Sequence, residues 1–266
     1  MSADRLSFDA GAGAYDRCMG RWSRLDIPAL LAAAQVAAGK KVLDVATGTG
    51  EAAVLAASLV GPSGRVLGVD ISLPMLRVAK PKGAASRITF AAMDGQALAY
   101  RDHTFDAVVC RLGLMFFPDV ARGLEEFRRV LRPHGRLAVS VLSTPERSPL
   151  LGIVFEALAR QLPTEREALG VGFSLADAPM LEQVLAKAGF QRLRVTRDVR
   201  EIVFESFDDY WSPFEAGGGR FGQIYQGLPE DGRRAVTQEV RQRMSQFESN
   251  GRFVLEVETL FGLASV

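Results

Sequence analysis

The stretch Val42-Leu43-Asp44-Val45-Ala46-Thr47-Gly48-Thr49-Gly50-Glu51-Ala52-Ala53 decides how the chain is read. Val-Leu-Asp-Val is a short apolar run of the kind that makes a buried strand. A Gly-x-Gly turn closes it, and the Ala/Leu/Val-rich residues 52–60 follow as a helix. In such a corner the glycines let backbone and ligand approach closely, and the unpaired amides at the helix start face whatever sits there. Strand, glycine turn and helix start together predict a site for a nucleotide-like ligand.

Working outward, residues 65–70 form a second β-branched run that ends on Asp70. Residues 72–80 read as a helix capped by Ser72, with Pro74 in its first turn and Pro81 as its stop. Residues 87–92 are a third strand, followed by Met93-Asp94-Gly95, and residues 105–110 are a fourth. Asp119 caps an amphipathic helix carrying Val120, Leu124, Phe127, Val130 and Leu131 on one face. Arg132-Pro133-His134-Gly135 is a turn, and residues 136–142 a fifth strand. Asp106, in a Phe-Asp pair opening a buried strand, reads as structural. Strands alternating with helices at this spacing predict βαβ units in an α/β, doubly wound, mostly parallel sheet. Ligands on such sheets sit at the carboxyl ends of the strands. Asp44, Asp70 and Asp94 all fall on that edge.

Beyond residue 142 the pattern changes. Helices are expected over 150–160 and 175–188, and strands over 193–204 and 253–264, which brings the sheet to seven strands. Residues 208–251 form a long insertion before the last strand, with Tyr210, Trp211, Gly217-Gly218-Gly219 and a charged helix near 233–247. A connection of that length needs structure of its own, and it reads as a helical cap. The triple glycine neither follows a strand nor precedes Lys-Ser/Thr, so it reads as a turn rather than a phosphate loop. At the other end, residues 1–24 carry Tyr15, Arg17, Met19, Arg21 and Trp22, side chains suited to a leader or lid closing over a flat or cationic ligand. Residues 26–38 follow as a helix with Pro28 in its first turn. The organisation expected is a single domain: lid and first helix over 1–38, a ligand-binding core over 39–142, and substrate-side helices, last strands and cap over 143–266.

Composition narrows the function. The 266 residues, 48% of them hydrophobic, suffice for one sizeable α/β domain. With 32 basic and 31 acidic residues and a net charge of +1, nucleic acid and acidic membrane are disfavoured as main partners. Two cysteines, Cys18 and Cys110, exclude a disulfide framework, and two histidines without zinc-ligand spacing argue against a metal site. No stretch is apolar and long enough to span a bilayer or act as a secretory leader, so a cytoplasmic chain is expected.

Gly48-x-Gly50-x-x-Ala53, with Asp70 about twenty residues on, fits the dinucleotide fingerprint. Asp44 speaks against it, because a carboxylate there would lie beside a pyrophosphate. S-adenosylmethionine carries no phosphate, and its sulfonium and amino group are cationic, so an acid is welcome. Asp94-Gly95 is placed to receive an adenine amine. These residues, with Phe105-Asp106-Ala107-Val108-Val109 and Leu124-x-x-Phe127-Arg128-Arg129-Val130-Leu131-Arg132-Pro133-x-Gly135, resemble a class I S-adenosylmethionine-dependent methyltransferase. The likeness is to the ubiquinone/menaquinone C-methyltransferase-like branch, also called methyltransferase type 11, and it spans about residues 40–142.

The resemblance implies S-adenosylmethionine as cofactor and assigns roles. Asp44 and the backbone of Ala46, Thr47, Gly48 and Gly50 would hold the methionine end, and Asp70 the ribose hydroxyls. Ile71 and Met75 would pack on the adenine faces, and Asp94 with Gly95 would read its edge. Arg111 would lie beside the sulfonium, its carbonyl mattering more than its charge. Ala46 stands where the family usually has glycine, and alanine is small enough for the turn.

Methyl transfer is an in-line displacement that positioning can drive, and it needs a general base only if the acceptor must lose a proton. His103 and His134 lie in polar turns and read as surface residues. Tyr15, Trp22, Arg111, Phe116, Phe117, Trp211 and Tyr225 are the pocket candidates, and their aromatic character points to a small, apolar or aromatic acceptor. A non-methylating user of the same cofactor such as a cyclase, a nicotinamide oxidoreductase and a non-catalytic cofactor-binding protein stand as alternatives.

Overall fold

The computed structural model of the chain describes residues 12–84 and 88–266, apart from the side chains of residues 13, 14, 17 and 18. The first eleven residues of the expected lid, the side chains of Arg17 and Cys18, and Arg87 at the start of the third expected strand lie outside the described residues. Helix α1 (Ala12–Ala33) leads into β1 (Lys41–Val45), α2 (Glu51–Val60), β2 (Arg65–Asp70), α3 (Leu73–Gly83) and β3 (Ile88–Ala92). Then come β4 (Phe105–Arg111), α4 (Val120–Val130) and β5 (Leu131–Leu142). Helices α5 (Pro149–Gln161), α6 (Arg166–Leu169) and α7 (Ala178–Lys187) precede β6 (Gln191–Phe204). Helices α8 (Phe207–Glu215), α9 (Gly219–Gly227) and α10 (Glu230–Met244) form the cap before β7 (Glu248–Ser249) and β8 (Arg252–Ser265).

The strands form one sheet in the order β3-β2-β1-β4-β5-β8-β6, with the two-residue β7 added as a hairpin arm on β8. Pairing is parallel from β3 through β5, and β8 runs antiparallel to both β5 and β6. The seven expected strands are thus present, with β7 as an eighth. The order reverses direction at β1 and β4, and the crevice outside their carboxyl ends is where an open α/β sheet places its ligand. In register, Val45 lies opposite Val69, Asp70 opposite Ala92 and Asp44 opposite Val109, so the ends that carry Asp44, Asp70 and Arg111 form one rim.

Alternation along the strands divides the core between two faces. Val42, Val109 and Ala138 pack beneath Leu30 and Leu31 of α1 and the small Ala52, Ala53 and Ala56 of α2. Leu43, Val108 and Val139 face the other way, among Leu124 and Phe127 of α4 and the α5–α10 side of the molecule. Asp44 follows the Val42 phase, which turns it toward α1 and α2.

Several expected boundaries move. The helix expected at 26–38 begins at Ala12 and ends at Ala33, so Pro28 lies inside it. One missing backbone donor in a helix packed along its length removes a single rung, and the packing holds the rest. Pro81 likewise does not stop α3, which runs on to Gly83. β5 starts at Leu131, not 136: Leu131 pairs with Phe105, and the register shifts before Arg136 pairs with Ala107. His134 takes φ 66° within that irregular segment. The caps at Ser72 and Asp119 form as the sequence suggests, each side chain accepting from the amide three residues on, Met75 and Arg122.

The cap is packed interior, continuous with the core on the Leu43 side of the sheet, rather than an open vestibule. Trp211 is 1% exposed, stacked with Phe207 and Phe214 and edge-on to Tyr225 at 5.1 Å. Tyr225 bonds to the Thr237 hydroxyl at 2.9 Å, which ties α9 to α10. Replacing Trp211 with alanine should cost about 3–5 kcal/mol of stability, readable in thermal unfolding. A melting temperature unchanged by the substitution would show the indole to be dispensable to packing.

Candidate active site

The glycine turn is held by its own backbone. The Thr47 amide donates to the Val69 carbonyl and the Gly50 amide to the Thr47 carbonyl, both at 2.9 Å. Gly48 and Gly50 take φ 54° and 85°, where only glycine is unstrained. Ala46 also takes φ 54°, so it is strained by conformation rather than fitted by size. Gly113 compensates in space: a Cβ there would come within 2.5 Å of the Ala46 methyl. Ala46→Gly should therefore leave stability equal or raise it by up to about 1 kcal/mol, whereas Ala46→Val should cost about 2 kcal/mol or more. Denaturant midpoints of the two variants check this.

Behind the turn stands Phe90, a residue the sequence reading passed over. A Cβ on Gly50, Gly68 or Gly83 would meet its ring at 3.0, 2.7 and 2.5 Å respectively, so three glycines make room for one aromatic ring. An aromatic residue on β3 across from Gly68 was the available signal.

Asp70 locks this turn to the rim. Its carboxylate accepts from the Gly48 amide and the Ser72 amide, both at 2.8 Å. A carboxylate has about four acceptor positions, so the two oxygens can serve amides and further donors together. Asp94 accepts from the Gln96 amide at 2.8 Å, beside a buried Gly95 where a Cβ would strike Phe117 at 2.5 Å and Val45 at 2.9 Å. Ile71, 60% exposed, is an open apolar platform between them, while Met75 is buried at 3%.

Asp44 lies at the inner end of the same rim, 1% exposed. Thr47 Oγ1 donates to its Oδ2 at 2.6 Å, whereas Oδ1 has no partner among the described residues. Burial, with the Asp70 charge adding to it, pushes its pKa up to about 7, against the pull of Thr47, the Ala53 backbone and Arg111. Asp44 lines a cavity of about 30 Å3, together with Tyr15, Ser23 and Ile27 of α1, residues 46–49 and Arg111. A larger cavity, about 250 Å3, lies around His103 and Arg129 at the amino-terminal side of the sheet. Arg129 is already paired with Glu126 and Asp102, and neither the glycine turn nor the acidic rim borders this second cavity.

Helix α1 is strapped over the smaller cavity by three sets of charges. Asp16 accepts from Thr49 and pairs with Lys82, which also meets Glu51. Arg21 forms a two-pronged pair with Asp209 of the cap, 2.7 Å on both prongs, and donates to the Val203 carbonyl. Asp26, fully buried, accepts from Arg111 Nε at 2.9 and 3.0 Å. Burial raises the Asp26 pKa, and the neighbouring guanidinium opposes the rise.

The pocket candidates divide by position. Tyr15 and Arg111 line the cavity with Asp44. Phe116 stands half-buried beside Gly172 and the end of β5. Phe117 is brought to the Asp94-Gly95 side instead, packed against Gly95 and Gly123 and edge-on to Phe127. Trp22 is wholly buried with its ring 5.8 Å from the Arg111 guanidinium carbon, and Trp211 and Tyr225 belong to the cap interior. Asp106 accepts from the Lys41 amide and Arg132 at the far, amino-terminal edge of the sheet. His103 and His134 are exposed at that same edge, about 20 Å of strand from the rim.

A methyltransferase-domain family model matches residues 43–139. The demethylmenaquinone methyltransferase of Bacteroides fragilis is 31% identical over 173 residues, 59% of this chain and 70% of that one. The chain belongs to the class I S-adenosylmethionine-dependent methyltransferases, in their ubiquinone/menaquinone C-methyltransferase-like branch. The methyltransferase is also 40% identical over 116 residues to the ubiquinone/menaquinone biosynthesis C-methyltransferase of Pasteurella multocida, which is 42% of this chain and 43% of that relative. In fold it matches phosphoethanolamine N-methyltransferase 2 of Haemonchus contortus, solved with S-adenosylhomocysteine, at a TM-score of 0.60. That match has 17% identity and covers 97% of this chain and 57% of that one. S-adenosylmethionine is its cofactor, and the groups present fit it: an acceptor-rich rim for ribose and adenine, and a buried acid where the cationic end would lie.

Proposed function

We propose that this methyltransferase holds S-adenosylmethionine with its adenosine half along the open rim and its methionine half beneath α1, and methylates a small, apolar, ring-bearing acceptor of the quinone type. The observation that carries the cofactor placement is Asp44 Oδ1, a buried acceptor without a partner among the described residues, at the end of β1 just before the glycine turn. It suits the α-ammonium group of the cofactor and would repel a pyrophosphate. Asp70 takes the ribose hydroxyls, Ile71 covers the adenine with Met75 backing it from within, and Asp94 with the Gly95 backbone reads the adenine edge. Ala46, Thr47, Gly48 and Gly50 supply the backbone along the methionine chain.

The acceptor reading draws on the names of the relatives and on the surroundings of the rim. The partly buried Phe116 and Tyr15 offer apolar surface, and the net charge of +1 favours a small molecule over nucleic acid. No described helix is long and apolar enough to cross a membrane, and we place the enzyme in the cytoplasm. With both histidines a sheet-length away, the chain contributes position, desolvation and charge. When bound, the cofactor would supply an activated methyl group to the acceptor atom, its carbon–sulfur electron pair returning to sulfur. An attacked ring carbon then gives up its proton to water.

Incubation with methyl-labelled S-adenosylmethionine and a panel of hydroquinones, phenols, amines and thiols tests this reading. The expected result is labelled, ring-methylated hydroquinone with one S-adenosylhomocysteine per product. Label on amines or thiols alone, or product without S-adenosylhomocysteine, would overturn it.

A further inference from the structure

The cavity under α1 holds two buried side chains of opposite charge, each with an atom left unpaired among the described residues. One is Asp44 Oδ1 and the other is Arg111 Nη2. Asp44 is 1% exposed and the Arg111 side chain 8%, and both line the cavity. A buried polar atom without a partner is costly, the more so on a charged group. Two such atoms of opposite sign on one cavity wall describe the complement of a zwitterion. Asp26 makes the arrangement rigid. Its two oxygens take the Nε edge of the guanidinium, and the Trp22 ring stands 5.8 Å from the guanidinium carbon. The plane of the group is thereby fixed, and Nη2 stays outside the pair.

We propose that Arg111 is the residue that binds the α-carboxylate of the cofactor, so that Asp44 and Arg111 hold the α-ammonium and α-carboxylate of its methionine end as a matched pair. This rests on the cofactor placement above and deepens it. The role falls to the side chain of Arg111, whereas the sequence pointed to its carbonyl. Asp26 is a positioning residue, acting only through Arg111. The site thereby selects adenosyl ligands that end in an intact 2-amino acid, because a ligand without the carboxylate leaves Nη2 buried and unpaired.

Calorimetric titration with S-adenosylhomocysteine and with the same thioether lacking its carboxylate tests the assignment. The wild-type chain should prefer S-adenosylhomocysteine by about 10- to 100-fold, the range a charge-assisted hydrogen bond supports. Arg111→Met should abolish that preference while binding the decarboxylated thioether within about threefold of wild type. Because Arg111→Met strands a buried carboxylate, the double variant Asp26→Asn/Arg111→Met is measured beside it and should give the same loss of preference. Asp26→Asn alone should narrow the preference, and Arg111→Lys should restore part of it. A preference that persists in both methionine variants would overturn the proposal and leave the carboxylate to backbone amides at the start of α2. A wild-type chain that binds neither thioether would overturn the cofactor placement itself.

Discussion

Asp70→Ala should weaken S-adenosylhomocysteine binding by about 100- to 1000-fold. The size follows from the two tasks of one carboxylate. Toward the ligand, in the placement proposed above, it would accept from two ribose hydroxyls, each bond charge-assisted. Toward the protein it accepts from the Gly48 and Ser72 amides at 2.8 Å, which fixes the glycine turn and the start of α3. Alanine removes both, so the turn loses its anchor together with the ligand contact. Asp70→Asn keeps one acceptor oxygen and should fall between alanine and wild type. Calorimetric dissociation constants check the series, and melting temperatures of the free proteins separate the two tasks. A loss of affinity below tenfold, with the protein stably folded, would show that ribose is bound elsewhere.

The second large effect is a pH dependence set by Asp44. Its pKa in the folded, ligand-free chain is raised from the ordinary carboxylate value of 3.8 to about 7, chiefly by burial. A raised carboxylate stabilises the fold in its protonated form. That contribution is fully present below the unfolded pKa and is lost as the pH rises through about 7. Asp26 is raised as well and acts in the same direction, so the ligand-free chain should lose stability between about pH 4 and pH 7. Asp44→Asn should flatten the Asp44 part of that decline, and chemical denaturation at several pH values would show it.

Cofactor binding runs the other way. In the proposed placement the α-ammonium group would pair with ionised Asp44, so below about pH 7 binding would first have to remove a proton. Affinity for S-adenosylhomocysteine should fall about tenfold per pH unit below that point and level off above it, with close to one proton released per ligand at pH 6. Proton release shows as a dependence of the binding heat on the buffer. In Asp44→Asn the slope should vanish and affinity at pH 8 should drop by about 100-fold. An unchanged slope in that variant would assign the titration to another group.

These effects reside in residues the sequence placed correctly on the sheet edge, and the reason is local. Asp44, Asp70 and Asp94 each sit within two positions of a strand end that its own apolar run defines, Gly48 and Gly50 follow within five residues of the end of β1, and parallel pairing then aligns the ends. What the sequence hid is long-range. Asp26 and Arg111 are 85 residues apart, and Arg21 and Asp209 are 188 apart. Nothing in either local pattern names its partner. The beginning of α1 escaped for a different reason: its Gly- and Ala-containing first turns look like loose chain, and its packing on α2, α8 and the strand ends is what makes it helical.

The aromatics show a third limit. Tyr15, Trp22, Trp211 and Tyr225 have the same chemistry, yet Tyr15 lines the cavity beside Asp44 while the other three are packed interior. A tryptophan that closes a ligand pocket and one that fills a core differ only in what stands opposite, which sequence pattern does not carry. Alanine at position 46 belongs with these. Its size fits the turn, but its positive φ becomes visible only with the backbone in place, as does the space Gly113 leaves for its methyl group.

A crystal structure with S-adenosylhomocysteine bound tests the central claim most directly. The expected result has the ribose hydroxyls on the Asp70 carboxylate, the α-ammonium group against Asp44 Oδ1, the α-carboxylate on Arg111, and α1 closed over the methionine end. Ligand bound with its ribose away from Asp70, or with its amino-acid end in solvent and Asp44 untouched, would contradict it.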